Sequence, residues 1–350
     1  MFMFSLNYGS DNYTVTLLLT IVVGLMALIL LIKKLILKSL PSPVNLGPKH
    51  HVVITGGSSG IGLSVAKLCY KKGATVTIIA RSIPKLKDAA AEIEATCDDS
   101  KSKVNTLSLD LSGKFETTQK KVNELCKMHG APTILFNIAG TSSAGKFVDT
   151  PVKEFLRLND INYLGTVYTT KAFIPHMIKA STEKDSGVDT GRILLTSSAA
   201  GQIGVFGYSA YSPTKFALRG LAETLTAELA CYGMGVTIAF PPDTDTPGFA
   251  EENLNKPEET RLISEAAGVF TPEAVAKKMV DSACKGEGLV YWGLEGWMLA
   301  MGGAGMCICD NVFDFFSQVM LNGLFRLIGL VVLADFRRII RKVNSKAEKV

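Results

Sequence analysis

Tyr211 and Lys215 stand four residues apart in the run Tyr211-Ser212-Pro213-Thr214-Lys215, and Ser198 precedes them by 13 and 17 residues. On a helix that spacing puts both side chains on one face. A lysine cation beside a phenol favours the phenolate and lowers a pKa normally near about 10, so the pair reads as a proton donor usable near neutral pH. Ser198 closes the strand-like run Arg192-Ile193-Leu194-Leu195-Thr196-Ser197-Ser198. There its hydroxyl can hold a carbonyl oxygen against the same phenol, so that orientation and acid catalysis meet at one atom. Far upstream, Thr55-Gly56-Gly57-Ser58-Ser59-Gly60-Ile61-Gly62 has the form of a strand-to-helix turn. Glycines let a backbone approach a pyrophosphate, and the helix N-terminus behind them offers free amides and a positive dipole end. Ser58 and Ser59 add hydroxyl donors. Gly56, Ser58, Ser59, Gly60 and Gly62 are therefore expected to hold a dinucleotide, and Ser198, Tyr211 and Lys215 to direct hydride transfer to a carbonyl. Each motif alone has a plainer reading, as a packed ring beside a solvated lysine or as a simple tight turn; their order along the chain selects the chemical one.

Such residues need a scaffold, and the chain supplies its pattern. Residues 51–55, 75–80, 104–109, 133–137, 192–197, 236–240 and 289–292 are short apolar runs, largely β-branched, and segments of helical period separate most of them. This is the pattern of a doubly wound α/β fold, a parallel sheet covered on both faces. At the end of the second run, where a carboxylate would accept hydrogen bonds from a free ribose 2′-hydroxyl, the chain has Arg81, followed by Pro84 and Lys85. Two cations there suit a 2′-phosphate, which predicts NADPH over NADH; the plainer reading of Lys85 is a solvated surface lysine.

The glycine turn, Asn137-Ile138-Ala139-Gly140, Asn162, Ser198, Tyr211 and Lys215, in that order, resemble the short-chain dehydrogenase/reductase family. The resemblance implies a Rossmann-type sheet and further roles. Asp110 and Leu111 would border the adenine ring, although Asp110 also suits a helix cap. Asn137 would belong to the cofactor pocket at the carboxyl end of the fourth strand. Asn162 would interrupt a helix and help hold a water in the proton relay to Lys215, which would also grip the nicotinamide ribose; a buried, hydrogen-bonded asparagine is the simpler alternative. Two features depart from the family pattern. Pro213 replaces the usual small residue, tolerable if Tyr211 lies near a helix start, and Pro241-Pro242 replaces the usual Pro-Gly beside the nicotinamide.

The ends of the chain are of a different character. Hydrophobic residues make up 47% of the 350, mean hydropathy is +0.25, and the excess lies at the termini. Thr14 to Ile32 is an uncharged stretch of 19 residues, about 28 Å as a helix, enough to span a bilayer. Lys33, Lys34 and Lys38 come directly after it and only Asp11 precedes it as a charge, so the positive-inside rule puts the chain beyond residue 33 in the cytosol. With no basic n-region and no small-x-small site, an uncleaved anchor is expected rather than a signal peptide. Residues 1–38 then form a lumenal end and anchor, 39–48 a proline-rich linker, 49–293 the reductase domain, and 294–350 a hydrophobic membrane-associated segment with a basic tail. In that last part, Trp297 to Cys309 is too short to span, and Val319 to Ala334 is apolar apart from Asn322 and Arg326. Two spans with Asp310 and Asp314 at a lumenal turn, or re-entrant or interfacial helices, are both open. The net charge of +5 and the basic residues flanking the apolar ends suit lipid headgroups and argue against nucleic acid. Seven scattered cysteines and four histidines show no metal spacing; free thiols fit a reducing compartment.

An enzyme tethered at both ends is placed to draw its substrate from the bilayer, as a long-chain lipid ketone. Within the family, residues 51–62, 210–223, 240–248 and 293–298 resemble the reductases of sphingoid ketones. That implies NADPH-dependent reduction of 3-ketosphinganine to sphinganine at the cytosolic face of the endoplasmic reticulum; the oligomeric state is left open, with a homo-oligomer one arrangement the chain allows. A membrane-anchored hydroxysteroid dehydrogenase would share every catalytic residue, and a non-catalytic nucleotide-binding scaffold is the reading from another class.

Overall fold

The computed structural model describes residues 17, 19–24, 26–31, 34, 41–97, 104–182, 191–265, 268–305 and 309–347. Seven parallel strands form one sheet in the order β3-β2-β1-β4-β5-β6-β7. They are β1 (His51–Thr55), β2 (Thr75–Ala80), β3 (Asn105–Ser108), β4 (Ile134–Asn137), β5 (Arg192–Thr196), β6 (Gly235–Ala239) and β7 (Leu289–Val290). Every expected run is a strand, within a residue or two at each end. Because β1 has β2 on one side and β4 on the other, the order reverses there, and the carboxyl ends of β1 and β4 open a crevice suited to a ligand.

Helices cover both faces. α1 (Gly60–Lys71) follows β1, α2 (Ile83–Glu94) follows β2 and α3 (Phe115–His129) follows β3. After β4 come α4 (Val152–Leu158), a π-helical turn (Asn159–Leu164) and α5 (Gly165–Thr182). α6 (Ser212–Leu229) joins β5 to β6; α7 (Pro247–Asn253), α8 (Glu258–Glu265) and α9 (Pro272–Lys285) join β6 to β7. On one face, Val65, Cys69, Leu86, Met279 and Val280 pack with Val52, Ile54 and Ile78. On the other, Val122, Phe173, Leu218 and Leu225 pack with Val53, Leu135 and Ile193. Neighbouring strand residues serve opposite layers, which is why these strands are apolar at successive positions instead of alternating. Residues 41–48, expected as a spacer, lie against the base of the sheet. Val44 is buried and its N–H donates to Cys284 O at 2.7 Å, and the fully buried Arg192 donates to the Ser42 carbonyl.

The chain ends in α10 (Gly293–Gly302) and α11 (Val312–Ala347). α11 has 36 residues, about 54 Å of helix. Its segment Val312–Ser345 is long and apolar enough to cross a membrane, by length and composition, with mean hydropathy 1.8 in its most apolar 18 residues. Phe325 packs into Ala300, Met301 and Trp297, while Met320, Leu327 and Val331 are exposed. The hairpin alternative, with Asp310 and Asp314 at a lumenal turn, is not the arrangement found. Asp310 accepts from the backbone of Gly288 (2.6 Å) and Leu289 (3.0 Å), and Asp314 from the Tyr291 hydroxyl (3.3 Å). Both carboxylates satisfy donors at the sheet edge, so this turn belongs to the folded domain. Of the expected N-terminal anchor, Leu17, residues 19–24, residues 26–31 and Lys34 are helical and exposed; the rest of that stretch, and Cys307, lie outside the described residues.

Candidate active site

The glycine turn is dictated by contact. Gly56 sits at φ +72, and a Cβ there would stand 2.9 Å from the Ala139 backbone; one on Gly62 would stand 2.2 Å from the Gly56 carbonyl oxygen. Only hydrogen fits at these points, so the turn folds tightly into the start of α1. Thr55 fixes it from behind: its Oγ1 accepts from the N–H groups of Ile138 (3.0 Å) and Ala139 (3.2 Å), binding β1 to the turn after β4. Ser59 is the N-cap of α1, in extended backbone, and its side chain makes no capping bond. The leading amides of a 12-residue helix are thus left to a ligand, as an anionic pyrophosphate requires. Next to the turn lies a cavity of about 180 Å³ whose walls include Gly56, Arg81, Asp110, Leu111, Gly140 and Arg157. Asp110 accepts from the Ser112 hydroxyl (2.7 Å) and N–H (3.0 Å), bonds that together with the Arg81 cation hold its carboxyl below the usual range. These donors, cations and this cleft fit a nicotinamide dinucleotide.

The residues expected to be catalytic meet at the carboxyl ends of β4 and β5. Ser198 follows β5 in extended backbone and caps a short 3-10 turn, its Oγ accepting from Ala200 N–H at 3.2 Å. Tyr211 is the N-cap of α6, so Pro213 falls in the first turn, where its missing N–H breaks no helical bond. The Lys215 ammonium lies 5.7 Å from the Tyr211 ring centroid and donates to the Thr196 carbonyl at 2.9 Å. Burial brings Lys215 down to about 8. Tyr211 moves the other way from expectation: burial raises its pKa, the Ser198 hydrogen bond opposes this, and the charges of Glu252 and Asp243 add to the rise. The phenol therefore stays protonated at neutral pH, the state a proton donor needs.

Asn162 sits in the π-helical turn and is fully buried. Its amide accepts from Thr141 N–H (2.9 Å) and donates to Thr141 O (2.9 Å) and Thr214 Oγ1 (3.1 Å), tying the loop after β4 to α6. A methyl on Gly140 would lie 3.1 Å from its Oδ1 and 3.2 Å from the Lys215 ammonium, so both groups border one small space.

A family model described as short chain dehydrogenase matches residues 50–257. The chain belongs to the short-chain dehydrogenase/reductase family. A relative from Danio rerio named 3-dehydrosphinganine reductase is 42% identical over 332 residues, 95% of this chain and 97% of the relative. One from Bos taurus named 3-ketodihydrosphingosine reductase is 44% identical over 310 residues, 89% and 91% of the two chains. Among solved structures, a short chain dehydrogenase/reductase family protein matches 69% of this chain and 91% of its own, at TM-score 0.56 and 28% identity. The fold is also that of an alcohol dehydrogenase from the archaeon Thermococcus sibiricus, solved with 5-hydroxy-NADP, at TM-score 0.54 and 24% identity over 65% of this chain and 87% of that one.

For this member of the family, the cofactor is a nicotinamide dinucleotide, and the structure sorts the residues expected to meet it. Gly56, Arg81, Asp110 and Leu111 line the cavity. Ser58 and Ser59, with Gly60 and Gly62, form the turn at the α1 N-terminus. Asn137 does not face the cavity. Its side chain accepts from Thr169 Oγ1 (2.7 Å) and donates to Thr170 Oγ1 (3.1 Å), so it pins β4 to α5 from within. Lys85 is exposed in the first turn of α2 and is not part of the wall. The second cation there is Arg157, which no motif announced, held by Glu154 at 2.8 Å through its Nε.

Sequence reasoning also missed a buried cluster beside Tyr211. The Tyr208 ring packs edge-on against it at 5.5 Å, and the Tyr208 hydroxyl donates to Glu252. Glu252 pairs with Lys256 at 2.8 Å, and Asp243 stands 4.0 Å from the same ammonium. Burial lifts Asp243 to about 6 against the pull of Lys256. The only available signal was the four-residue spacing of Glu252 and Lys256, which is common on solvated helices.

Proposed function

We propose that this protein reduces 3-ketosphinganine to sphinganine with NADPH, at the cytosolic face of the endoplasmic reticulum. The observation that carries the reading is the conjunction of Ser198, Tyr211, Lys215 and Asn162 at one point with relatives named for that reaction, 42% and 44% identical over most of their length. Bound nicotinamide supplies hydride to the keto carbon. Ser198 hydrogen-bonds the keto oxygen and holds it against Tyr211. Tyr211 gives that oxygen its proton, and Lys215, charged below pH about 8, stabilises the phenolate left behind. Asn162, which borders the same space as the Lys215 ammonium, anchors a water that returns a proton along the relay.

Arg81 at the end of β2, where a carboxylate would repel a 2′-phosphate, supports NADPH over NADH. Two carboxylates, Asp243 and Glu252, share the Lys256 ammonium beside the phenol. That excess of negative charge suits the amino group next to the ketone of a sphingoid base and gives a neutral steroid nothing. The apolar α11 and the apolar N-terminal residues support membrane attachment at both ends, with the domain in the cytosol.

The test is turnover by detergent-solubilised protein of 3-ketosphinganine and of a steroid ketone, each with NADPH and with NADH. Sphinganine formed stoichiometrically with NADPH oxidation supports the reading. Steroid reduction alone would keep the cofactor claim and discard the substrate; cofactor binding without any turnover would leave a scaffold.

A further inference from the structure

A groove of about 570 Å³ opens beside Tyr208. Its lining is largely apolar, with Phe147, Val148, Val205, Phe206 and Pro213 beside the polar Lys146, Ser209, Ser212 and Asn344. Phe147 and Val148 are 70% and 85% exposed, a poor place for large apolar groups facing water. They are held there by structure. The Phe147 ring packs edge-on to Phe155 at 5.7 Å, and the two walls are joined by a backbone bond from Gly145 N–H to Gly207 O at 2.8 Å.

We propose that this groove is the subsite for the hydrocarbon tail of the lipid ketone. The inference rests on the proposed substrate and extends it to where the chain lies. Three observations carry it. The inner end is Tyr208, whose ring touches that of the proton donor, so a ketone oxygen on Tyr211 leaves its alkyl carbons one ring away from the groove. Ser212, next to Tyr211, also lines it; the residue is 6% exposed and its hydroxyl has no partner among the described residues. A buried hydroxyl left unsatisfied in a largely apolar wall is costly, and the hydroxyl of the substrate's head group would satisfy it. Third, Asn344 of α11 borders the groove, so the helix that carries the exposed Leu327, Leu330 and Val331 reaches this wall through its basic last turns.

The experiment uses a series of water-soluble 3-keto-2-amino alcohols of increasing chain length, each below its micellar concentration, with full-length wild type, Val205→Trp, which fills the groove, and Phe147→Asp, which charges its exposed rim. Burial of each added methylene is worth a factor of about four in kcat/KM for the wild type until the groove is full. Both variants are expected to flatten that slope to less than about twofold per carbon, with NADPH affinity unchanged as the check on folding. An unchanged slope in Val205→Trp and Phe147→Asp, or a flat slope in the wild type that nonetheless reduces every ketone, would overturn the groove assignment alone. A wild type that binds NADPH and reduces none of the series removes the substrate reading and the groove with it.

Discussion

The two sides of Tyr211 are built by different means. On the cofactor side the geometry comes from backbone: glycines at 56 and 62 that exclude any side chain, a threonine stapling β1 to the β4 turn, and a helix end without a side-chain cap. On the proposed substrate side it comes from side chains: a phenol, two carboxylates and an ammonium gathered from residues 208, 243, 252 and 256. Backbone geometry demands particular residue types at fixed offsets, so a general cofactor is held in a way that a short stretch of chain can encode. Side-chain clusters depend on pairings between distant segments, and these are free to suit one substrate.

The difference can be broken first on the substrate side. Replacing Lys256 by Met leaves Glu252 as a buried carboxylate without its cation; a loss of about 3–5 kcal/mol in unfolding free energy is expected in denaturant titration. If the change proves neutral, the cluster is solvated and its electrostatic role falls. On the cofactor side Arg81→Ala should weaken NADPH binding about 10- to 100-fold and leave NADH affinity near its starting value, measured by fluorescence titration. Equal losses for both cofactors would mean that Arg81 does not read the 2′-phosphate. Gly62→Ala should cost about 1–3 kcal/mol in stability, because the new methyl meets the Gly56 carbonyl and the turn has to open.

The smallest effect expected is a pH dependence. Asp243 binds its proton more tightly in the folded protein, at about 6 against an ordinary 3.8. Its contribution is therefore favourable below the lower value and is lost as pH rises through about 6. Asp243→Asn should abolish that decline, a difference on the order of 1 kcal/mol between about pH 4 and pH 7 by thermal unfolding. A curve with the same slope in both proteins would place the aspartate in water.

This contrast also explains what could be read from the chain alone. All seven strands were legible, since a sheet buried on both faces needs runs of β-branched residues whatever surrounds them. Ser198, Tyr211, Lys215 and the glycine turn were legible because their spacings follow from one strand, one turn and one helix. Arg157 was not: its place in the cavity wall depends on how α4 packs beyond β4, and its spacing from Glu154 marks nothing by itself. Nor was the raised pKa of Tyr211, because a neighbouring lysine is visible in sequence whereas burial, Glu252 and Asp243 act on the phenol only once the chain has folded. Asp310 and Asp314 looked like residues for a lumenal turn, yet they satisfy donors at the edge of the sheet.

The most direct measurement compares wild type with Tyr211→Phe, supplied with 3-ketosphinganine and NADPH, following sphinganine formation and cofactor binding in the same samples. A phenol that donates the proton predicts stoichiometric product from the wild type, and from the variant unaltered NADPH affinity with a rate lower by about 10²- to 10⁴-fold. Product formed by Tyr211→Phe at the wild-type rate would contradict it.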